Sequence, residues 1–188
     1  MSLISSEYSI EDNNHILLGK ALCERINPSF WPINVNDLPI GTALVGGSVR
    51  DGLLNILKPK PDIDLVIPND AVKVAREISD RINSTFIVLD HQRDIARLVI
   101  DNWTIDFAKQ VGESLEEDLM RRDFKINAIA LTLDSNPQLI DPLNGIQDLR
   151  ENILVAISED NLIDDPLRIL RGFRLMSELN FSLDNETK

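Results

Sequence analysis

A chain of 188 residues with 43% hydrophobic content can build one domain, or one and the start of a second, around a real core, which excludes global disorder. A formal charge of -12 argues against tight non-specific nucleic-acid binding, so a polynucleotide partner would need a local basic patch or another domain. Cys23 alone allows no disulfide framework, no apolar run nears the ~20 residues that span a bilayer, and the acidic start MSLISSEYSIEDNN lacks the basic region of a signal peptide. The expectation is a cytoplasmic protein with no membrane partner.

An apolar stripe of Ile16, Leu17, Ala21, Leu22 and Ile26 predicts a leading helix over His15–Ile26, ended by Asn27-Pro28. Pro28, Pro32 and Pro39 mark a loop-like entry to the main domain. The pattern then alternates: strand Thr42–Val45, helix Ser48–Leu57, strand Asp62–Ile67, and helix Asp70–Asn83 capped by Asn69 or Asp70. Three β-rich runs follow, Thr85–Leu89, Ala96–Ile100 and Thr104–Phe107. Ser114–Arg121 reads as a helix with Ser114 and Glu117 as a capping box, and Asn127–Leu133 as a strand. Asn144–Arg150 and Pro166–Leu179 read as helices, and the pattern after Glu159 as the start of a second, all-helical domain in a fragment of a longer protein. The fold class expected is α/β (α+β), a mixed sheet with helices packed on it.

The chemistry gathers at two places. In Gly46-Gly47-Ser48 at a helix start, backbone N–H groups can approach a phosphate where no Cβ intervenes, and a helix N-terminus favours anions. In Asp62-Ile63-Asp64-Leu65 the strand period puts both carboxylates on one face and Ile63 and Leu65 in the core. Two such carboxylates repel when ionised, and a divalent cation with hard oxygen preference resolves the conflict. Asp106, between Ile105 and Phe107 in a nearby strand, is a third candidate. Three carboxylates on adjacent strands could hold two Mg²⁺ ions about 4 Å apart, one activating a hydroxyl and one holding a triphosphate. His15 and His91 show no metal spacing, Trp31 and Trp103 read as packing residues, and Cys23 as a small buried one.

Five ordered motifs carry a resemblance. They are Gly46-Gly47-x-Val49-Arg50-Asp51, Asp62-x-Asp64, Arg121-Arg122-Asp123-Phe124 with Asn127-Ala128, Asp141-Pro142-x-Asn144-Gly145 with Asp148-Leu149, and Asp165-Pro166-Leu167-Arg168 with Arg171. From about Ala43 to Arg174 the chain resembles the head and early neck of class II tRNA nucleotidyltransferases and their poly(A) polymerase relatives, in the polymerase-β-like superfamily. The resemblance implies an N-terminal helical extension over 1–38, a catalytic head over 39–158 and a truncated helical neck over 159–188. It implies that Asp62 and Asp64 are the catalytic metal-binding pair, with Asp106 at the superfamily's third acidic position, and that Arg121, Arg122 and Asp123 select the ribose. Gly46, Gly47, Ser48, Arg50, Asn127, Asp165, Arg168, Arg171 and Arg174 join them as nucleotide-binding residues. The partners implied are CTP, ATP and a tRNA 3′ end, the last held mostly through domains this chain lacks.

In the related enzymes the residues matching Asp165 and Arg168 pair with the incoming base. Cytosine and adenine both present an amino donor beside a ring-nitrogen acceptor, matching one carboxylate and one guanidinium. Uracil and guanine present the reverse, and each unpaired polar group costs roughly 1–3 kcal/mol. Along the same helix Arg171 and Arg174 continue a basic stripe, and Ile169, Leu170 and Phe173 read as the buried side. Two departures stand out. The family's usual Glu-Asp is Asp164-Asp165 here, and the segment from Asp106 to Arg121 is short where full CCA enzymes carry a longer loop. The expected activity is template-independent addition of C to a tRNA 3′ end, as CC or full CCA, with CC alone raised by the short segment. A poly(A) polymerase and a non-catalytic nucleotide-binding module are the alternatives.

Overall fold

The computed structural model describes Ile10 and residues 14–188, so the reading of the first residues lies largely outside it. Helix α1 (His15–Ile26) runs over the predicted span, its first turn capped by the Asn14 side chain and its end turned by left-handed Asn27. Strand β1 (Ala43–Val45) leads through Gly46 into α2 (Gly47–Leu53). That helix stops four residues short of expectation. Asn55 is left-handed at φ 58°, and Pro59 and Pro61 lie just ahead, where neither can continue a helix. Then come β2 (Ile63–Ile67), α3 (Ala71–Ile82), β3 (Thr85–Asp90), β4 (Ile95–Ile100) and β5 (Trp103–Lys109). Asp70 is the N-cap residue of α3, one of the two expected, but it is left-handed at φ 53° and its side chain caps nothing. The Asp94 carboxylate reaches across to accept from the amides of Ala71 (3.0 Å) and Val72 (2.8 Å).

Helix α4 (Leu115–Met120) has half of the expected capping box. Ser114 accepts from the Glu117 amide, while the Glu117 carboxylate turns to the Glu113 amide. The predicted strand at Asn127–Leu133 shrinks to β6 (Ala130–Thr132), because Lys125–Asn127 forms a 3₁₀ turn that frees the Asn127 side chain for polar contacts. Next are β7 (Leu139–Ile140), α5 (Gly145–Glu151), β8 (Ile153–Leu154), α6 (Glu159–Asp164), α7 (Leu167–Leu179) and β9 (Ser182–Leu183). The two-residue strands are too short for a periodic signal, and β9 pairs back in parallel with β8.

Seven strands form one mixed sheet in the order β3-β4-β5-β2-β1-β6-β7, with β2 and β5 the parallel pair. Its larger face, including Ile63, Leu65, Ile105 and Phe107, packs with α1, α2 and α3. The other face buries Ala43, Val45, Val66 and Ala130 under Leu119 of α4. Asp64 shares that second face with Val66, so the expected alternation along β2 is borne out. Among the described residues no helix is long and apolar enough to cross a membrane.

The side of α7 expected to be buried is not. Ile169, Leu170 and Phe173 are 47%, 64% and 63% exposed. The helix packs through Gly172 and Leu175, with Phe124 so close that a Cβ on Gly172 would lie 2.7 Å from its ring. Arg168 and Arg171 turn inward to polar partners on the head, and that claim on the inner face turns the apolar side out.

Candidate active site

The carboxylates sit where the strand register puts them. Asp64 on β2 pairs with Asp106 on β5, and Val45 of β1 lies on its other side. Asp62 precedes the strand and is exposed. Gly46, at φ 72°, turns the chain against this pair, and a Cβ there would lie 3.1 Å from Asp64 Oδ2. Glycine therefore satisfies both the backbone angle and the close approach. The Ser48 hydroxyl donates to the Asp62 carbonyl, tying the first turn of α2 to the carboxylate strand. Burial pushes the Asp64 carboxyl up to about 6, with Asp106 and Asp62 adding repulsion and Arg122 and Arg97 opposing it.

Asp106 is held differently. Arg97, opposite it on β4, donates from Nε and Nη2 to both carboxylate oxygens at 2.7 Å each. Sequence reasoning passed over Arg97, yet the signal was there. Asp101 and Asn102, both at positive φ, form a two-residue hairpin turn with Ile100 opposite Trp103, and counting back from that turn sets Arg97 against Asp106. Among the described residues no three His, Cys, Asp or Glu side chains stand ready around a common point. The donor set fits a hard divalent cation at Asp62 and Asp64, a half-buried carboxylate beside its like-charged neighbour, whereas Asp106 would share its oxygens between the cation and Arg97.

Arg122, which opposes the rise in the Asp64 pKa, belongs to a lattice of arginines. Arg122 pairs with Asp118 at 2.9 Å, and its Nε is buried with no partner among the described residues, a donor left for an anion. Arg121 is exposed, and its carbonyl accepts from Arg168 Nη1. Arg168 also donates to the Asn161 carbonyl and lies 3.8 Å from Asp165, which caps α7 through the Leu167 amide. Asp165 and Arg168 thus stand side by side at the start of α7. Asn161, another residue the sequence reading missed, donates to the carbonyls of Met120 and Arg122 and fixes this turn.

Asp123 is 3% exposed. Its Oδ1 accepts from the Phe124 amide and Asn127, and its Oδ2 from Arg171 at 3.1 Å. Asn127 in turn accepts from Arg50, which is held by Asp51. A continuous polar chain therefore runs from α2 to α7. Arg174 lies outside it, on the surface beside Glu178. Trp31 is buried as expected, and burial raises the thiol pKa of the half-buried Cys23.

The family model of the poly(A) polymerase head domain matches residues 42–155. The chain belongs to that family, shared by class II tRNA nucleotidyltransferases and poly(A) polymerases. It is 46% identical over 157 residues to the CC-adding tRNA nucleotidyltransferase of Synechocystis sp., spanning 84% of this chain and 38% of that protein. It is 40% identical over 150 residues to the A-adding enzyme of Deinococcus radiodurans, spanning 80% of this chain and 33% of that protein. Among solved structures, a CCA-adding enzyme in complex with CTP superposes with a TM-score of 0.75 at 29% identity, over 90% of this chain and 44% of that one. A tRNA nucleotidyltransferase with a primer tRNA and an ATP analogue gives 0.67 at 34% identity, over 78% and 44%. The chain thus spans well under half the length of these relatives.

Proposed function

We propose that this chain is the catalytic head and early neck of a cytoplasmic tRNA 3′-end nucleotidyltransferase that adds C from CTP. In the reaction the primer 3′-hydroxyl forms a bond to the α-phosphorus, the bond from that phosphorus to the bridging oxygen breaks, and pyrophosphate leaves. Asp62 and Asp64 would hold Mg²⁺, which when bound neutralises phosphate charge and acidifies the attacking hydroxyl. The amides at Gly47 and Ser48 and the unpartnered Nε of Arg122 offer donors to the triphosphate. Asp165 and Arg168 offer the acceptor and donor that cytosine and adenine share. Selection of ribose through Asp123 requires Arg171 to yield or share Oδ2.

The product most favoured is CC, and the connection from β5 to α4 carries that reading. Residues 110–114 are closed by bonds from the amides of Gln110 to Ile67, of Val111 to Asp118 and of Glu113 to Glu117. No long flexible loop stands where full CCA enzymes carry one. The 40% identity to an A-adding enzyme supports a second reading, addition of the terminal A alone.

Extension of a tRNA transcript by the full-length protein separates these readings. On a transcript lacking CCA, growth by two residues with CTP, unchanged by ATP, is the expected result. Growth to three when ATP is added makes the enzyme CCA-adding, growth only on a CC-ended transcript with ATP makes it A-adding, and long ATP tracts make it a poly(A) polymerase. Arg168→Ala is expected to relax the preference for CTP over UTP, and selectivity left intact would remove Arg168 from base reading.

A further inference from the structure

A groove of about 630 Å³ opens between the end of α1, the short helix Pro28–Phe30, the end of α2 and the loop leading into β2. Its wall carries Arg25, Lys58 and Lys60 and no carboxylate, in a chain of formal charge -12. Lys60 Nζ donates to the neutral carbonyl of Asp101 at 2.7 Å, and neither Lys58 nor Lys60 makes an ion pair among the described residues. Two aromatic rings share the wall: Phe30, 75% exposed, and Trp103, partly exposed. Lysines without an ion pair beside exposed aromatic surface are what a single nucleic-acid strand uses, phosphates on the charges and bases on the rings.

The groove's place is as telling as its lining. Pro61 in its wall is bonded to Asp62. Trp103 begins β5 and packs on the larger face with α1 and α2, so the groove lies at the same end of the parallel β2–β5 pair as Asp64 but on the opposite face of the sheet. Helix α2 starts just after Gly46, which lies against Asp64, and carries Gly52 into the groove wall. Its length is about 10 Å at 1.5 Å per residue, or roughly three nucleotides at 3.4 Å each.

We propose that this groove holds the ribose-phosphate backbone of the RNA primer a few nucleotides from its reacting 3′ end. Lys58 and Lys60 take phosphates, and Phe30 and Trp103 take bases. The proposal rests on the reading of the chain as a tRNA 3′-end nucleotidyltransferase. It also supplies a local basic patch of the kind that a chain of net negative charge needs to meet RNA.

The test is fluorescence anisotropy of the full-length protein with a labelled acceptor-stem minihelix that lacks CCA, over a salt series, alongside calorimetric titration with CTP and Mg²⁺. The double variant Lys58→Glu, Lys60→Glu is expected to bind RNA at least about tenfold more weakly. The slope of log affinity against log salt should fall by roughly 1.4–1.8, two contacts at 0.7–0.9 each. Phe30→Ala is expected to weaken RNA binding about fivefold or more with the slope unchanged. CTP binding should be unaltered in both. RNA affinity and slope unchanged in the double variant overturn the proposal, as does a protein that binds CTP but no RNA. Equal affinity for a polyglutamate peptide of matched charge overturns RNA as the occupant. A protein that binds neither CTP nor RNA overturns the functional reading and the groove with it.

Discussion

The candidate site has two halves built by different means. The carboxylate half stands on strands: register alone sets Asp64 beside Asp106 and Arg97 opposite it, and Asp64 has the polar company of like charges. The arginine half stands on turns and helix ends, and side chains fix it. Arg168 is tied to two carbonyls, Arg171 to Asp123, and Arg50 to Asn127 and Asp51. The first half stores repulsion that a ligand relieves, whereas the second is satisfied save for the Arg122 Nε. Substitutions in the first should therefore abolish chemistry and spare the fold, and substitutions in the second should damage both.

The sharpest separation comes from Asp64→Asn. In the full-length protein, nucleotide addition should fall by about 10³-fold, several kcal/mol of lost transition-state stabilisation at 1.36 kcal/mol per decade. Urea unfolding of the same variant should show stability equal to the parent or higher, because a half-buried charge has been removed. A clear loss of stability would break the distinction between the halves.

Asp123→Ala makes the opposite case. It strips an acceptor from the Phe124 amide, from Asn127 and from Arg171 at a site 3% exposed. Stability should fall by about 2–3 kcal/mol. Asp62→Asn, on an exposed residue, should change stability by less than about 0.5 kcal/mol. Comparable losses from the two variants would show that the arginine half is not held by its polar chain.

Arg97→Gln tests the one place where the carboxylate half borrows the other's method. The pair is partly exposed, so stability should drop by less than about 1 kcal/mol. Release of Asp106 should lower kcat about tenfold by misplacing the carboxylates. An unchanged kcat would make the Arg97–Asp106 pair a surface ornament of the hairpin.

The two halves also differed in how far they could be read from residues. Strand alternation set Asp64 on one face and Ile63 and Leu65 on the other, and the Asp101-Asn102 turn carried Arg97's position in plain counting. Helix α1 and strands β3, β4 and β5 likewise follow local periodicity. The arginine half depends on tertiary partners with no local trace. Asp94 caps α3 from another loop, Asn161 bridges two carbonyls across 39 and 41 residues, and Arg171 finds Asp123 across 48. Those partners decide which side of α7 faces inward, and amphipathic spacing alone assigned it wrongly.

Asp148 of α5, outside both halves, shows what an unrelieved carboxylate does where no cation is implied. It is 7% exposed, and its Oδ2 has no hydrogen-bond partner among the described residues. Burial pushes its pKa up to about 6, with Asp141, Glu151 and Asp184 raising it further and Lys125 pulling it back. The unfolded chain gives up this proton near pH 3.9. Between about pH 4 and 6 the folded state therefore holds a proton that the unfolded state has lost, and stability from this residue falls as pH rises through that window. Above it the penalty is complete and constant. Asp148→Asn should accordingly be more stable than the parent at pH 8, by on the order of 1–2 kcal/mol in urea unfolding. The gap should close as pH drops from 6 towards 4. A gap that ignores pH would assign the gain to packing and take the buried charge out of the account.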